Sequence, residues 1–276
     1  MDQIINILYD HINTFTNIIN LCDSSKEFYK YKKYIINIKL NLHFSQQYYS
    51  NDIFRSFIRS KMFNPSKQLS IYFINATNII DFEIFNDVYL LDLSSSNNIV
   101  SVVNLQNIHK LNLSNCSNLI TVSSLTNVHQ LIITSCHNLI DINNLHNIVT
   151  VNLSNCTKLQ DVSNLGNIHT LKLSYCRNIV DVSNLGNVYN LDLSHCHGLV
   201  DVSKLGNVYN LSLCNCHNLS NIDNLTNNHI LDISRCHLIR NFNNQANINT
   251  LNISICKVKD FSIFSNVKTL IAEDCY

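Results

Sequence analysis

The stretch Leu171-Lys-Leu-Ser-Tyr-Cys-Arg-Asn-Ile-Val-Asp-Val-Ser-Asn-Leu-Gly-Asn-Val-Tyr-Asn190 holds the pattern on which the fold turns. Leu171 and Leu173 alternate with polar residues, as in a half-buried strand. Cys176, Ile179, Val182, Leu185 and Val188 then recur every third residue, which suits a tight coil or 3-10 path. Working outward, the pattern returns every twenty residues, so that Cys116, Cys136, Cys156, Cys176, Cys196, Cys216, Cys236 and Cys256 fall in one column. Cys275 continues the column one residue early, because Lys257-Val-Lys-Asp260 shortens the turn while Leu251 still maps onto Leu270. Backward, Ser96 and Ala76 occupy the same column, and Leu91-Asp-Leu93 repeats as Ile71-Tyr-Phe73. Ten units therefore start at residues 71, 91, 111, 131, 151, 171, 191, 211, 231 and 251.

One such unit cannot bury its seven apolar side chains alone, so neighbouring units must stack with those columns inward. The fold class this predicts is an α/β repeat solenoid, with parallel strands on one face and a tight coil or 3-10 path on the other. With strands about 4.8 Å apart, ten coils make a rod or shallow arc of roughly 50 Å.

Composition agrees with a buried core: 46% of the 276 residues are apolar and only 14% are charged. Nineteen basic residues balance nineteen acidic ones, which removes the electrostatic footprint of a general nucleic-acid binder. Four glycines and one proline leave the turns to the 46 asparagines. No apolar run approaches the ~18 residues of a membrane span, and Met1-Asp-Gln-Ile-Ile-Asn-Ile-Leu8 lacks the basic start of a secretory signal. The expectation is a cytoplasmic protein with no membrane partner.

These residues carry a resemblance. Ile108-x-x-Leu111-x-Leu113-x-x-Cys116-x-x-Leu119 resembles the highly repeated segment of leucine-rich repeats, in the version with Cys where Asn is commoner. Asp-Val-Ser-x-Leu, starting at Asp161, Asp181 and Asp201, is similar to the short repeat class of internalins. The resemblance covers residues 71–276 and implies a parallel sheet on a concave face that binds partners. Richness in Asn, Ile and Tyr also looks like leucine-rich-repeat proteins of giant amoebal DNA viruses, which would place the chain in host cytoplasm.

The remaining columns read as scaffold. Asn107, Asn127, Asn147, Asn167, Asn187, Asn207, Asn227, Asn247 and Asn266 precede the strands and are expected to bridge adjacent coils as a ladder. Asp141, Asp161, Asp181 and Asp201 are expected to cap free backbone N–H groups of the turn that follows. No Cys-x-x-Cys occurs, and the ladder cysteines read as free buried thiols. An alternative of another class is a His/Cys metal-binding protein or enzyme, since His197, His217 and His237 follow the ladder cysteine on three consecutive coils and could stack around zinc or copper. Against it stand the solvent-facing position of these histidines and the lack of an acidic ligand. No Gly-rich phosphate loop or nucleophile elbow is present, so neither catalysis nor a cofactor is expected.

Ile4, Ile5, Leu8, Ile12, Phe15, Ile19 and Cys22 fall at helical spacing. Residues 1–45 resemble an F-box: Leu21-x-x-Ser24-Ser25-Lys26-x-Phe28 and the pair Ile7-Leu8 match it, with Met1-Asp2 in place of the opening Leu-Pro. The resemblance implies docking of a Skp-type adaptor of a cullin ubiquitin ligase through Ile7, Leu8, Leu21, Lys26 and Phe28. The alternative is a helical cap over the first coil's apolar face. Residues 46–70 read as a capping helix, from Ser50 to Met62, and a linker, after an alternating strand pattern at Ile36 to Leu42.

Residues between the inward leucines are expected on the concave face: among them Lys110, Asn152, Lys172, Ser174, Tyr175, Asp192, His195, Asp232 and Arg235. Lys172, Tyr175, Asp192, His195, Asp232 and Arg235 are the expected partner-binding residues, because they vary while the serines beside them do not, and Tyr and Arg are favoured at interfaces. The sequence thus predicts a non-enzymatic protein-interaction scaffold, in its specific form an F-box/leucine-rich-repeat substrate adaptor.

Overall fold

In a computed structural model, the residues described are 38–60 and 69–275, apart from 78, 80, 87, 104, 106, 126–127, 146–147, 243–244 and 246–247. The F-box-like residues Ile7, Leu8, Leu21, Lys26 and Phe28 lie outside them, as do Asn127, Asn147 and Asn247.

Among the described residues, twelve strands form one parallel sheet whose spatial order is the chain order. They are β1 (Ile38–Leu40), β2 (Leu69–Tyr72), β3 (Leu90–Asp92), β4 (Lys110–Asn112), β5 (Gln130–Ile132), β6 (Thr150–Asn152), β7 (Thr170–Lys172), β8 (Asn190–Asp192), β9 (Asn210–Ser212), β10 (Ile230–Asp232), β11 (Thr250–Asn252) and β12 (Thr269–Ile271). Each strand pairs with its equivalent in the next coil, Leu171 opposite Leu191 and Leu191 opposite Leu211. The shortened turn keeps Leu251 opposite Leu270. This is a parallel repeat solenoid, the fold class that the sequence predicts.

The period-three stretch has a direct physical cause. Cys176 N–H donates to Leu173 O at 3.1 Å, Ile179 to Cys176 at 3.3 Å, Leu185 to Val182 at 3.0 Å and Val188 to Leu185 at 3.1 Å. Three-residue turns follow one another, so every third side chain points inward, and Cys176, Ile179, Val182, Leu185 and Val188 are all buried. Some of these turns lengthen into 3-10 helices, at Ser163–Leu165 and Ser183–Leu185 among others.

The cysteine column lies inside the stack. Each thiol donates to a strand-end carbonyl of the preceding coil, Cys156 to Ile133 O at 3.0 Å, Cys176 to Leu153 O at 3.2 Å and Cys196 to Leu173 O at 3.1 Å. A thiol suits a dry position that needs one weak donor and little volume. All the described cysteines are free, and those of the column from Cys116 to Cys256 are buried. Burial pushes Cys116 up to about 11 and Cys216 up to about 12, so the column stays protonated at neutral pH.

Two sequence expectations need correction. Asn167, Asn187 and Asn207 are exposed, and the links between coils in that column, Asn107 to Asn86 Oδ1 at 3.4 Å and Asn227 to Asn207 Oδ1 at 3.3 Å, join side chains only. The amides that bridge coils stand nine residues earlier: Asn138 donates to Ser117 O at 2.8 Å, Asn178 to Thr157 O at 2.8 Å and Asn218 to His197 O at 2.6 Å. They succeed because the turn after the cysteine leaves a carbonyl of the preceding coil within reach. The second correction concerns the N-terminal side, where the strand ends at Leu40, not Leu42, and is followed by two helices, α1 (Leu42–Ser50) and α2 (Asp52–Ser60). Asn41 and Asn51 cap them, accepting from Phe44 N–H at 3.1 Å and Phe54 N–H at 3.0 Å, so one helix ends where the next begins.

These helices connect β1 to β2 and pack against the first coils of the stack. Tyr48 and Ile58 are fully buried, Arg59 donates to Tyr48 Oη at 2.8 Å and to Ile84 O at 3.0 Å, and the Tyr49 ring stacks on Phe85 at 5.7 Å. At the opposite end β12 is exposed along its length.

Candidate interaction surface

The strand face is a set of side-chain columns. In the column after the inward leucine, an Asp or Asn turns one oxygen back onto the backbone two residues on. Asp92 Oδ1 accepts from Ser94 N–H at 2.9 Å, Asn152 from Ser154 at 3.0 Å, Asp192 from Ser194 at 2.9 Å and Asp232 from Ser234 at 2.9 Å. Asp192 and Asp232, both predicted to bind a partner, therefore have half of each carboxylate committed to shaping the turn. Lys172 occupies the same column without that bond and is exposed. The serines beside them link across coils, Ser174 to Ser154 at 2.8 Å and Ser194 to Ser212 at 2.8 Å.

Tyr175, His195 and Arg235 do not stand on the strands, which end at Lys172, Asp192 and Asp232. They stand three residues later, where the chain must turn out of the sheet, and that residue takes φ of 64°, 61° and 60° respectively. Every coil repeats this left-handed conformation: Asn115 at 59°, Asn155 at 62°, Asn215 at 60° and Ile255 at 59°. The turn from Leu173 to Cys176 is closed by the Cys176 N–H and has positive φ at its third residue, the type II pattern that favours Gly or Asn there. Asn at 75, 115, 155 and 215 obeys that preference; Tyr175, Arg235 and Ile255 do not.

The departures cluster into a rim at the ends of the strands. The Tyr175 ring stacks on His195 at 4.1 Å, and Asn215 Nδ2 lies 2.8 Å from His195 Nδ1. Two residues further along, His197 stacks on His217 at 4.7 Å and His217 on His237 at 5.9 Å. The expected histidine column therefore exists. Its planes are within 8° and 11° of parallel, so the in-plane nitrogen lone pairs run side by side and do not converge on one ion. Among the described residues no three His, Cys, Asp or Glu side chains are placed to hold a metal. Burial, with the His217 ring next in weight, holds both His195 and His197 below the ordinary histidine range.

A second aromatic column lies at the opposite ends of the strands and was not anticipated from the sequence. Tyr89, His109 and His129 stack at 4.8 and 4.5 Å; after Val149 the stack resumes with His169, Tyr189, Tyr209 and His229 at 4.9, 4.5 and 4.5 Å. The twenty-residue spacing alone does not flag it, because Tyr, His, Val149 and Asn249 share the column. Two aromatic rails thus flank a polar trough of Thr, Asn, Asp and Ser.

The acidic column behaves as scaffold. Asp161, Asp181 and Asp201 accept from the backbone N–H of Ser163, Ser183 and Ser203 at 2.9, 2.9 and 2.8 Å, and those bonds hold the three carboxyls below the usual range. Among the described residues no helix is long and apolar enough to cross a membrane.

No protein-family model and no curated protein matches the chain. Solved structures similar to it include an internalin of Listeria monocytogenes, 17% identical, covering 74% of this chain and 80% of that one with a TM-score of 0.45. A leucine-rich-repeat protein of Leptospira interrogans is 14% identical over 88% of this chain and 85% of its own, with a TM-score of 0.34. The functional domain of internalin J of Listeria monocytogenes, described as including a cysteine ladder, is 12% identical over 74% and 67%, with a TM-score of 0.30.

Proposed function

We propose that the chain is a non-enzymatic protein-interaction scaffold that holds a partner on its strand-bearing, concave face and along the adjoining rim. One observation carries this reading. Tyr175 and Arg235 occupy left-handed backbone positions that Asn fills in four other coils and Ser in two, and with His195 they present ring edges and a guanidinium to solvent. Lys172, Asp192 and Asp232 complete the surface on the strand side.

Photo-crosslinking tests the reading. A photoreactive phenylalanine placed at Tyr175 is expected to capture a protein that the same group at Val180, 62% exposed on the turn past the cysteine column, does not capture. Equal capture at both positions, or none at Tyr175, would overturn it.

The finer form is a substrate adaptor, with Ile7, Leu8, Leu21, Lys26 and Phe28 gripping a Skp-type protein while the repeats hold the target. It rests on the F-box resemblance alone. Titration of purified Skp-type adaptor into the full chain checks it: binding lost in Leu8→Asp and Phe28→Ala with an unchanged unfolding midpoint supports the adaptor, and no binding by the native chain removes it.

A further inference from the structure

Cations and carboxylates share the strand ends, where Lys172 stands opposite Asp192 in the strand register, while Arg177 and Arg235 stand on the turns beyond the strands. Among the described residues the ion pair is Arg55 with Asp52, on the N-terminal helix α2. Lys172, Arg177 and Arg235 are exposed, and their side chains have no hydrogen-bond or ion-pair partner among the described residues. Arg177 bears electrostatically on both His195 and His197, and Arg235 on His195, while the Asp192 carboxylate opposes them at His195. The nearby carboxylates, Asp192 and Asp232, stand on the strand side and each turns one oxygen onto a backbone N–H. Asp161, Asp181 and Asp201 are bound to their own turns further round the coil.

We infer that this rim, from Tyr175 to His237, is a docking strip for an acidic peptide segment of a partner protein. The inference rests on the scaffold reading and names the chemistry of its partner. Arg177 and Arg235 are three coils apart, about 14 Å at the usual strand spacing, and an extended peptide covers that in four to five residues. Carboxylates at that interval meet the two guanidiniums, with the Tyr175 and His195 ring edges and the Lys172 ammonium between or beside them. Charge-assisted Arg–carboxylate contacts supply both energy and register. A single-stranded nucleic acid fits less well, because the ring faces cover one another at 4.1 and 4.7 Å and leave little face on which to stack a base.

The test is fluorescence anisotropy of the full chain with a labelled peptide of alternating Glu and Gly, against its Gln–Gly counterpart and a labelled oligo-dT. The Glu–Gly peptide is expected to bind, to weaken about tenfold in the double variant Arg177→Gln/Arg235→Gln, and to lose affinity as salt rises. Both arginines are exposed and unbonded, so the unfolding midpoint should not move. Equal binding of the Gln–Gly peptide would overturn the acidic-partner inference while leaving the scaffold reading, and its Tyr175 crosslink, intact. Binding of oligo-dT as tight as the peptide would reassign the strip to general polyanions. No binding of any probe would also overturn the inference.

Discussion

Replacing Asn115 by Ile isolates the backbone constraint on which the rim argument depends. Asn115 has φ of 59°, is exposed, and its side chain makes no hydrogen bond among the described residues, its backbone N–H donating to Thr134 O at 2.8 Å. Substitution there changes little except the tolerance of the left-handed conformation. For a residue with a Cβ that conformation costs about 1–2 kcal/mol, and a β-branched side chain sits at the upper end. Asn115→Ile is therefore expected to lose about 1–2 kcal/mol, roughly 2–6 °C in melting temperature for a chain of this size. Asn115→Gly removes the steric cost but adds unfolded-state entropy, and is expected within about 0.5 kcal/mol of the native chain. Urea unfolding followed by circular dichroism gives the ordering. If Asn115→Ile is as stable as the native chain, the left-handed turn exerts no selection, and the presence of Tyr175, His195 and Arg235 at its equivalents says nothing about function.

The other predictions probe core, thiols and pH. Leu173→Asp, at a fully buried position, is expected to lose several kcal/mol, whereas Lys172→Asp on the exposed side of the same strand end should change stability by about 0.5 kcal/mol or less in urea unfolding. Iodoacetamide with peptide mapping should modify the half-buried Cys214 and Cys275 in the native state and leave Cys116 to Cys256 of the ladder unmodified until urea unfolds the chain; fast native labelling of Cys176 would contradict the inward stacking. Burial and neighbouring imidazoles depress the pKa of His109, His195 and His197, so below about 6.5 the unfolded chain takes up protons that the folded chain refuses. Stability should be full above that pH and decline as pH falls from 7 to 5, less steeply in His195→Gln/His197→Gln. The aspartates, held low by their hydrogen bonds, lose their contribution only as pH falls through and below the ordinary aspartate range.

The stack was legible in the sequence because its determinants are single residue types at a fixed interval. Leu171, Cys176 and Leu185 can be read as inward without coordinates, since a misplaced apolar column would destroy every coil at once. The asparagines were not legible in the same way. Asn115 adopts a left-handed turn, Asn152 accepts from Ser154, Asn178 bridges to Thr157, and Asn187 is exposed. One short amide side chain performs all these jobs, and only the path of the backbone decides which. The same ambiguity placed the ladder at Asn187 when it belongs at Asn178. Tyr175 and His195 were picked out as surface residues by their chemistry, but their distinguishing property, a positive φ, has no signature in a column that otherwise reads as polar. The rail of Tyr189 and Tyr209 escaped because Tyr and His alternate with Val149 and Asn249 there, so no single residue type marks the period.

Stacked repeats also explain why such a surface can carry function without endangering the fold. Each coil contacts its neighbours, and the burial that holds them together lies in columns that Tyr175 and Arg235 do not enter. A left-handed Tyr or Arg therefore costs its own coil about 1 kcal/mol and leaves the strand register of the next coil unchanged. The Tyr175 and His195 rings return part of that through their contact at 4.1 Å, since aromatic pairs contribute about 0.5–1.5 kcal/mol. Arg235 has no such compensation from a ring or an ion pair among the described residues. Among the charged rim residues it is the one held in a left-handed turn. Arg235→Asn should accordingly raise the unfolding midpoint while it weakens binding of the acidic peptide, and the two changes in opposite directions would separate a recognition role from a structural one.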